Sequence, residues 1–403
     1  MNSKTYCEAL VLQNMIDERK AKSHICAYLG IDDEERKDEF MNYISNDLIL
    51  TGEGKVQFIE NKDLFPTAKV VFDSREDTED RKTWLNTRCN SIGGSEIGTI
   101  AGYSKYGSAH TVFNEKLGLV EKFKGNIHTV YGTRMEPYIR EWVQDDFEKA
   151  TDIKLKTFEY PYMMVDKKIE YFSANIDGIG ILDDSYIYWE NRDTGEIKYI
   201  PEGEMFGLEI KTGSEFMKKM WAGEEIPDSY YCQCQWYMGV TGLNYFLIIY
   251  LLGKEVKWKV VPRNDDDIKA LRKIGENFWR NHIMTKIPPD VTGMKKETEQ
   301  ITEQQILNDD TEVNISNNKL SEYKKLGEEI KELQTKQEKI KQEIFLEMEN
   351  SKKGTDGLFK VSRFEVKRDS LDNKLLKEKY PLTYAAILKG QSEYVNMKIT
   401  KCK

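Results

Sequence analysis

The run Tyr245-Phe246-Leu247-Ile248-Ile249-Tyr250-Leu251-Leu252 holds eight residues with no charge among them. It offers no face to water, so it reads as a strand buried on both sides. Such a strand needs neighbouring strands and covering layers, and the flanking sequence supplies candidates for both. Strand-like segments fall at about 155–165, 169–176, 186–200 and 206–211. A helix is predicted from about Thr129 to Lys149, because Met135, Ile139, Trp142, Val143 and Phe147 recur at helical spacing. Asp228–Val240 reads as a second helix. Asn264–Asn281 reads as a third, with Asn264 as its N-cap and acids in its first turn. The alternation predicts an α/β core.

Composition narrows the function classes. The 403 residues sum to a formal charge of −9, which excludes a nonspecific polycationic DNA coat. The charge is uneven. Residues 1–80 carry 18 acidic and 10 basic side chains, whereas 351–403 carry 6 and 13. The six cysteines (7, 26, 89, 232, 234 and 402) form no Cys-x-x-Cys, which argues against structural zinc or an iron–sulfur cluster. No apolar stretch is long enough to span a membrane and no secretory leader is recognisable, so a cytoplasmic location is expected.

Five regions are predicted. Residues 1–80 form an acidic N-terminal extension, with a helical-looking opening over Ala9–Ile31 and a solvated charge run at 32–39. Residues 81–295 form the core, and the polar stretch 296–318 a linker. Residues 319–350 form a coiled-coil arm, in which Leu320, Leu326, Ile330, Leu333, Ile340 and Ile344 recur near a 3-4 spacing with Gln337 in one apolar slot. Gly354 and Gly357 are read as ending that arm, and residues 351–403 as a small basic C-terminal module.

Four core features carry chemistry. They are Gly132-x-x-x-Glu136, Ile176-Asp177-Gly178, Leu208-Glu209-Ile210-Lys211, and Tyr230-Tyr231-Cys232-Gln233-Cys234-Gln235-Trp236. Side chains alternate along a strand, so Glu209 and Lys211 share one face while Ile210 enters the core. Asp177, Glu209 and the Ile210 carbonyl make a hard-oxygen set suited to magnesium or manganese. Lys211 beside it could orient or deprotonate a water. Glu136 could add a ligand for one ion or a second. Taken alone, Glu136 could equally pair with Arg140 at i+4. The Gly-rich helix start at 93–98 suits a phosphate, because N–H groups are exposed at a helix N-terminus.

The ordered set resembles the PD-(D/E)xK nuclease superfamily, and more closely the YqaJ viral recombinase family, related to lambda-type exonuclease. The resemblance rests on Arg88…Ile92-Gly93-Gly94-Ser95, Phe113-x-Glu115-Lys116-x-Gly118 and Tyr131-Gly132-x-x-x-Glu136-Pro137. It continues through Asn175-Ile176-Asp177-Gly178, Leu208-Glu209-Ile210-Lys211 and Tyr230-Tyr231-x-Gln233-x-Gln235-Trp236-x-Met238-x-Val240-Thr241-Gly242. It covers roughly residues 81–285. It implies a central mixed sheet flanked by helices, with Asp177 and Glu209 as metal ligands, Lys211 positioning the attacking water, and Glu136 as the helix-borne acid. Gln233 or Gln235 would help hold the site. Arg88 and Ser95 would grip a terminal phosphate of DNA, with Lys116 as a backbone contact; solvent-exposed charge is the other reading of Arg88 and Lys116. The 32-position step from Asp177 to Glu209 predicts an inserted β-hairpin over Tyr186–Ile200, turning at Asn191–Gly195, that could alter the mouth of the site.

The resemblance further implies a magnesium-dependent DNA exonuclease, with manganese substituting and one or two ions per site. It would resect linear duplex ends for phage-type recombination. The expected partners are a DNA end, a RecT-like single-strand annealing protein and further copies of the chain, in a bacterial host. A structure- or sequence-specific endonuclease and a catalytically inert DNA-binding or inhibitory protein are the alternatives.

Overall fold

The computed structural model describes residues 50–51, 58–75, 88–120, 125–221, 223, 225–305, 312–315, 318–366, 373–382 and 384. The expected helix at Ala9–Ile31 and the charge run at 32–39 lie outside these residues. The chain divides into two units, 1–305 and 306–403.

The first unit holds a short antiparallel pair, β1 (Leu50–Thr51) and β2 (Phe58–Ile59). A five-stranded mixed sheet is built from β4 (Leu155–Phe158), β7 (Gly178–Leu182), β10 (Phe206–Gly213), β11 (Tyr245–Leu252) and β12 (Glu255–Pro262). Its strand order is β12-β11-β10-β7-β4. Only β10 and β11 run parallel, and the helix Asp228–Thr241 (α4) connects them, as a parallel pair requires. The apolar run that demanded burial is β11, at an interior position of the sheet.

Period-two alternation assigns the faces. Phe206, Leu208 and Ile210 of β10 join Leu247, Ile249 and Leu251 of β11 in one apolar cluster. Ile139, Val143 and Phe147 of the helix Ile127–Thr151 (α3) complete it. Each of these fully buried helix side chains is worth roughly 1.5–3 kcal/mol. The opposite face, with Phe246, Ile248 and Tyr250, packs in a second cluster with α4 residues such as Trp236 and Met238. Asn126 starts α3, its side chain accepting from His128 and Thr129 N–H. Asn264 caps the helix Asp265–Phe278 (α5) in the same way, with three aspartates in the first turn.

The predicted strand 155–165 is two strands. Pro161 lies between β4 and β5 (Tyr162–Asp166), and β5 belongs to a separate sheet between β3 (Ala68–Asp73) and β6 (Ser173–Ala174). Of the predicted strand 169–176, only β6 forms. The hairpin is present as β8 (Tyr186–Glu190) and β9 (Ile197–Ile200), paired antiparallel. It leaves the sheet after Leu182, however. β7 runs away from Asp177 for five residues, about 16 Å at strand rise. The hairpin therefore stands at the end of the sheet opposite Asp177 and does not shape the mouth of the site.

The predicted linker begins too early. Residues Lys295–Gln304 form a helix (α6) belonging to the first unit, whose boundary falls after Gln305. Glu297 and Gln300 are buried. Glu297 accepts from the hydroxyl of Ser108, and Gln300 accepts from Asn114, tying α6 to the helix Ala109–Lys116 (α2).

In the second unit the arm is one 30-residue helix, Lys319–Met348 (α7). It ends at Glu349, whose φ is 45°, ahead of the glycines expected to stop it. Gly354 instead lies in β13 (Lys353–Thr355), which pairs with β14 (Lys360–Ser362). A short helix, Asn373–Lys379 (α8), follows.

Candidate active site

The backbone of β10 sets the geometry. Leu208 pairs with Gly178 of β7, and this contact brings Asp177 beside β10. Asp177 N–H donates to the Leu208 carbonyl at 3.1 Å, and its Oδ2 accepts from Ile210 N–H at 2.7 Å. Asp177 thus precedes a strand; it does not end one. Gly178 is needed there, because a Cβ would lie 2.5 Å from the Phe158 carbonyl.

Glu209 and Lys211 emerge together on the α4 side of β10, and the Lys211 ammonium donates to Glu209 Oε1. Ile210 is buried on the opposite side, in the cluster beneath α3. Gln233 of α4 closes the group. Its Oε1 accepts from Lys211 at 3.1 Å, and its Nε2 lies 2.7 Å from Glu209 Oε1 and 3.1 Å from Tyr237 Oη. The structure separates the two glutamines. Gln235 faces away, donating to the Pro262 carbonyl and accepting from Asn264 N–H. It fastens the β12–α5 corner and does not reach the site.

Glu136 comes from the first half of α3. At 25 residues, α3 spans about 37 Å, longer than any strand of the sheet. A Cβ on Gly132 would sit 3.4 Å from Thr212 Oγ1, in ordinary contact, so the helix closely approaches β10 at this point. Burial, followed by the charge of Asp177, pushes the Glu136 carboxyl up to about 8. The same two causes push Glu209 up to about 8. Burial also raises Asp177. Burial pulls the Lys211 ammonium downward, but Glu209 and Asp177 outweigh it and hold it above its ordinary value. In this state Lys211 is a charged donor, suited to orienting a water and unsuited to deprotonating one.

Two site neighbours take roles that the motifs do not imply. Arg140, one turn beyond Glu136, does not pair with it. Its guanidinium donates to the Asp177 carbonyl and to Glu159 Oε2, both at 2.6 Å. Tyr237 supports Gln233 from one turn further along α4. Both lie at i+4 from a motif residue, the one sequence signal that could have found them. The Lys211 ammonium also stands 4.9 Å from the Tyr230 ring centroid.

The Gly-rich segment serves packing. In the helix Gly94–Ile100 (α1), a Cβ on Gly94 would meet the Tyr237 ring at 2.5 Å and Gln233 Cγ at 3.0 Å. Glycine thus lets α1 lie directly on the part of α4 that carries Gln233. The Gly93 N–H is already satisfied by Glu96 Oε2 at 2.9 Å. Arg88 and Ser95 do meet, with Arg88 Nη2 3.3 Å from Ser95 Oγ. Lys116 differs from the expected DNA contact: its side chain is 2% exposed, and its ammonium bonds Glu96 and the Arg88 carbonyl. That ion pair, buried at Lys116 and about a fifth exposed at Glu96, ties Lys116 to the stretch bearing Arg88 and occupies its ammonium.

The donor chemistry fits a divalent cation. Glu209 Oε2 is buried without a hydrogen-bond partner in the structure, a costly arrangement for a carboxylate oxygen unless a cation completes it. Asp177 is close enough for its charge to raise both Glu136 and Glu209. Among the described residues, no three His, Cys, Asp or Glu side chains yet converge as a ready-made cage. Glu209 Oε1 and Asp177 Oδ2 are engaged by protein donors instead.

Residues 83–244, which contain every member of this group, match the YqaJ-like viral recombinase domain family. That match spans 162 of the 403 residues of this chain. Uncharacterized protein YqaJ of Bacillus subtilis (strain 168) is 25% identical to it over 319 residues, 77% of this chain and 91% of that protein. Among solved structures, the alkaline exonuclease LHK-Exo from Laribacter hongkongensis is similar at 16% identity and a TM-score of 0.36, over 51% of this chain and 93% of its own. A phage related exonuclease from Haemophilus somnus 129PT is similar at 14% identity and a TM-score of 0.27, over 49% of this chain and 96% of its own. The matched residues begin and end inside the first unit, so β11, β12, α5, α6 and all of the second unit lie beyond them. Among the described residues no helix is long and apolar enough to cross a membrane.

Proposed function

We propose that this protein is a divalent-metal-dependent deoxyribonuclease, an exonuclease that resects linear duplex DNA for phage-type recombination. The observation that carries the reading is the convergence of Asp177, Glu209, Lys211 and Gln233 at one end of the sheet, with the unpartnered Glu209 Oε2 among them. The YqaJ-like domain match supports it.

Asp177, Glu209, Glu136 and the Ile210 carbonyl would hold Mg2+, or Mn2+ in its place. When bound, the ion supplies Lewis-acid stabilisation of the charge that builds on the phosphate and makes the attacking water more acidic. Lys211 orients that water for in-line attack on the phosphodiester, leaving a 5′-phosphate on the new end. Gln233, fixed by Tyr237, holds Lys211 and Glu209 in their relative positions. Arg88 and Ser95 receive the terminal phosphate of the DNA end. A RecT-like annealing protein would take the single strand produced, and the enzyme would act as a homo-oligomer in the bacterial cytoplasm.

The test is to incubate purified protein and magnesium with end-labelled linear duplex and with covalently closed duplex. Loss of the linear form alone, abolished by Asp177→Ala or Lys211→Ala, is expected. Cutting of closed circles would indicate an endonuclease. Intact linear DNA would leave an inert DNA-binding protein as the reading.

A further inference from the structure

The described residues of the second unit expose an apolar seam. Among its described residues only Met348 is buried. Along α7, Tyr323, Leu326, Ile330, Leu333, Ile340 and Ile344 are all 37–62% exposed. With Gln337, they follow a strict alternation of three and four residues. In heptad terms Tyr323, Ile330, Gln337 and Ile344 occupy a positions, and Leu326, Leu333 and Ile340 occupy d positions. The remaining faces are highly charged and carry their own i,i+4 pairs, Lys325–Glu329 and Lys339–Glu343.

We propose that α7 binds the α7 of a second copy of this chain as a parallel, in-register, two-stranded coiled coil. Three observations select that occupant and orientation. First, β-branched isoleucine at two a positions with leucine at two d positions is the pattern that favours parallel pairs. Second, Gln337 is the single polar residue among the central a and d positions. A parallel in-register pair sets it against its own copy, where two amides can bond each other. An antiparallel pair that stacks Ile330 on Ile340 sets it against Leu333, where the amide is left unpaired.

Third, the flanking charges disfavour that antiparallel pair, which brings Glu329 against Glu343 and Lys336 against its own copy. In the parallel pair Glu329 faces Gln334, and Lys336 meets Lys341 at two symmetry-related contacts, against three like-charged contacts in the antiparallel pair. Lys341 is drawn aside by Glu338, whose two oxygens both lie 3.1 Å from its ammonium. The area also suffices. Six apolar seam side chains per helix, at roughly 100 Å2 each, bury ~1,200 Å2 in the pair, at the lower end of stable specific interfaces. This inference is independent of the nuclease reading and stands whether or not the first unit cleaves DNA.

The experiment uses the full chain carrying Gln337→Cys under mild oxidation, read on a non-reducing gel. The expected result is a covalent species of doubled mass. It should be absent from the wild type, which has six other cysteines, and reduced at least tenfold when Leu333→Glu is added. Circular dichroism verifies that each variant is folded. Sedimentation equilibrium should show Ile330→Glu with Leu333→Glu weakening self-association of the otherwise unaltered chain at least tenfold. No doubled species from folded Gln337→Cys would overturn the proposal. So would a doubled species indifferent to Leu333→Glu, or self-association unchanged in the double variant, since another segment or another protein would then cover the seam.

Discussion

Arg140 donates from Nη1 to the main-chain carbonyl of Asp177 at 2.6 Å, while its Nη2 holds Glu159 at the same distance. The turn of α3 that follows Glu136, whose carboxyl is raised by burial and the Asp177 charge, therefore carries a clamp on the Asp177 main chain. Arg140 is buried, and Glu159 is about a quarter exposed. Arg140→Met would leave the Asp177 carbonyl and the Glu159 carboxylate without their donor. A loss of roughly 1–3 kcal/mol is expected, solvent at Glu159 keeping it below the cost of a fully buried pair. Arg140→Lys, which can satisfy only one of the two acceptors well, should fall between. Urea unfolding at pH 7 measures this; equal midpoints for all three proteins would contradict the clamp.

Gln233 and Gln235 make a paired prediction. Gln233→Ala removes the amide that holds both Lys211 and Glu209. DNA cleavage should fall at least ~10-fold, with a small change in stability. Gln235→Ala strips the Pro262 carbonyl and Asn264 N–H of their partner. It should cost about 1–3 kcal/mol of stability and leave cleavage per folded molecule nearly unchanged. Cleavage assays beside thermal melts of both variants distinguish them; the reverse pattern would mean that the wrong glutamine has been placed in the site.

The same pair marks where sequence reasoning reaches its limit. Glu209 and Lys211 were legible as a same-side pair because strand periodicity is two and Ile210 had to be buried. The α4 helix offers no such guide. It is buried nearly all round, so Gln233 and Gln235 are both buried and only the positions of α1 and β10 decide which one faces Lys211. Lys116 read as a surface cation because its partner Glu96 is 20 residues away in sequence. The hairpin was visible in the spacing of Asp177 and Glu209, but the end of the sheet it occupies follows from the direction of β7. The α6 helix was missed because the side chains it buries, Glu297 and Gln300, are polar and give no hydrophobic pattern.

That helix supplies the next prediction. Glu297 accepts from the Ser108 hydroxyl and from Thr292, Gly293 and Met294 N–H, and its carboxyl is held below the ordinary value despite burial, chiefly by these donors. A chain ending at Gln305 keeps these bonds and should melt with the full-length first unit. A chain ending at Thr292 uncovers α2 and leaves Ser108 and Asn114 without their α6 partners. It should melt several degrees lower, the equivalent of about 2–4 kcal/mol. Coincident melts would return residues 296–305 to the role of a linker.

The acid cluster ties stability to pH with a definite sign. Glu136 and Glu209 are pushed up to about 8 in the folded, metal-free protein, against an ordinary value of 4.5. The folded state thus binds their protons more tightly than the unfolded chain does. Their stabilising contribution is complete below about 4.5 and disappears as pH rises toward and through 8. Asp177 is shifted in the same direction. Asp73 and Glu297 are shifted downward, so their contributions are lost only at acid pH and do not enter this window. With chelator present, the melting temperature should fall between pH 5.5 and 8.5. Magnesium should restore most of that fall, because a cation replaces the protons that otherwise relieve the repulsion. Its binding at pH 7 should release roughly one to two protons, measurable by calorimetry in two buffers of different ionisation enthalpy. A melting temperature flat across that range, with no proton released on adding magnesium, would mean that the carboxylates do not share one cation site. It would remove the main physical support for assigning Glu136 to the site.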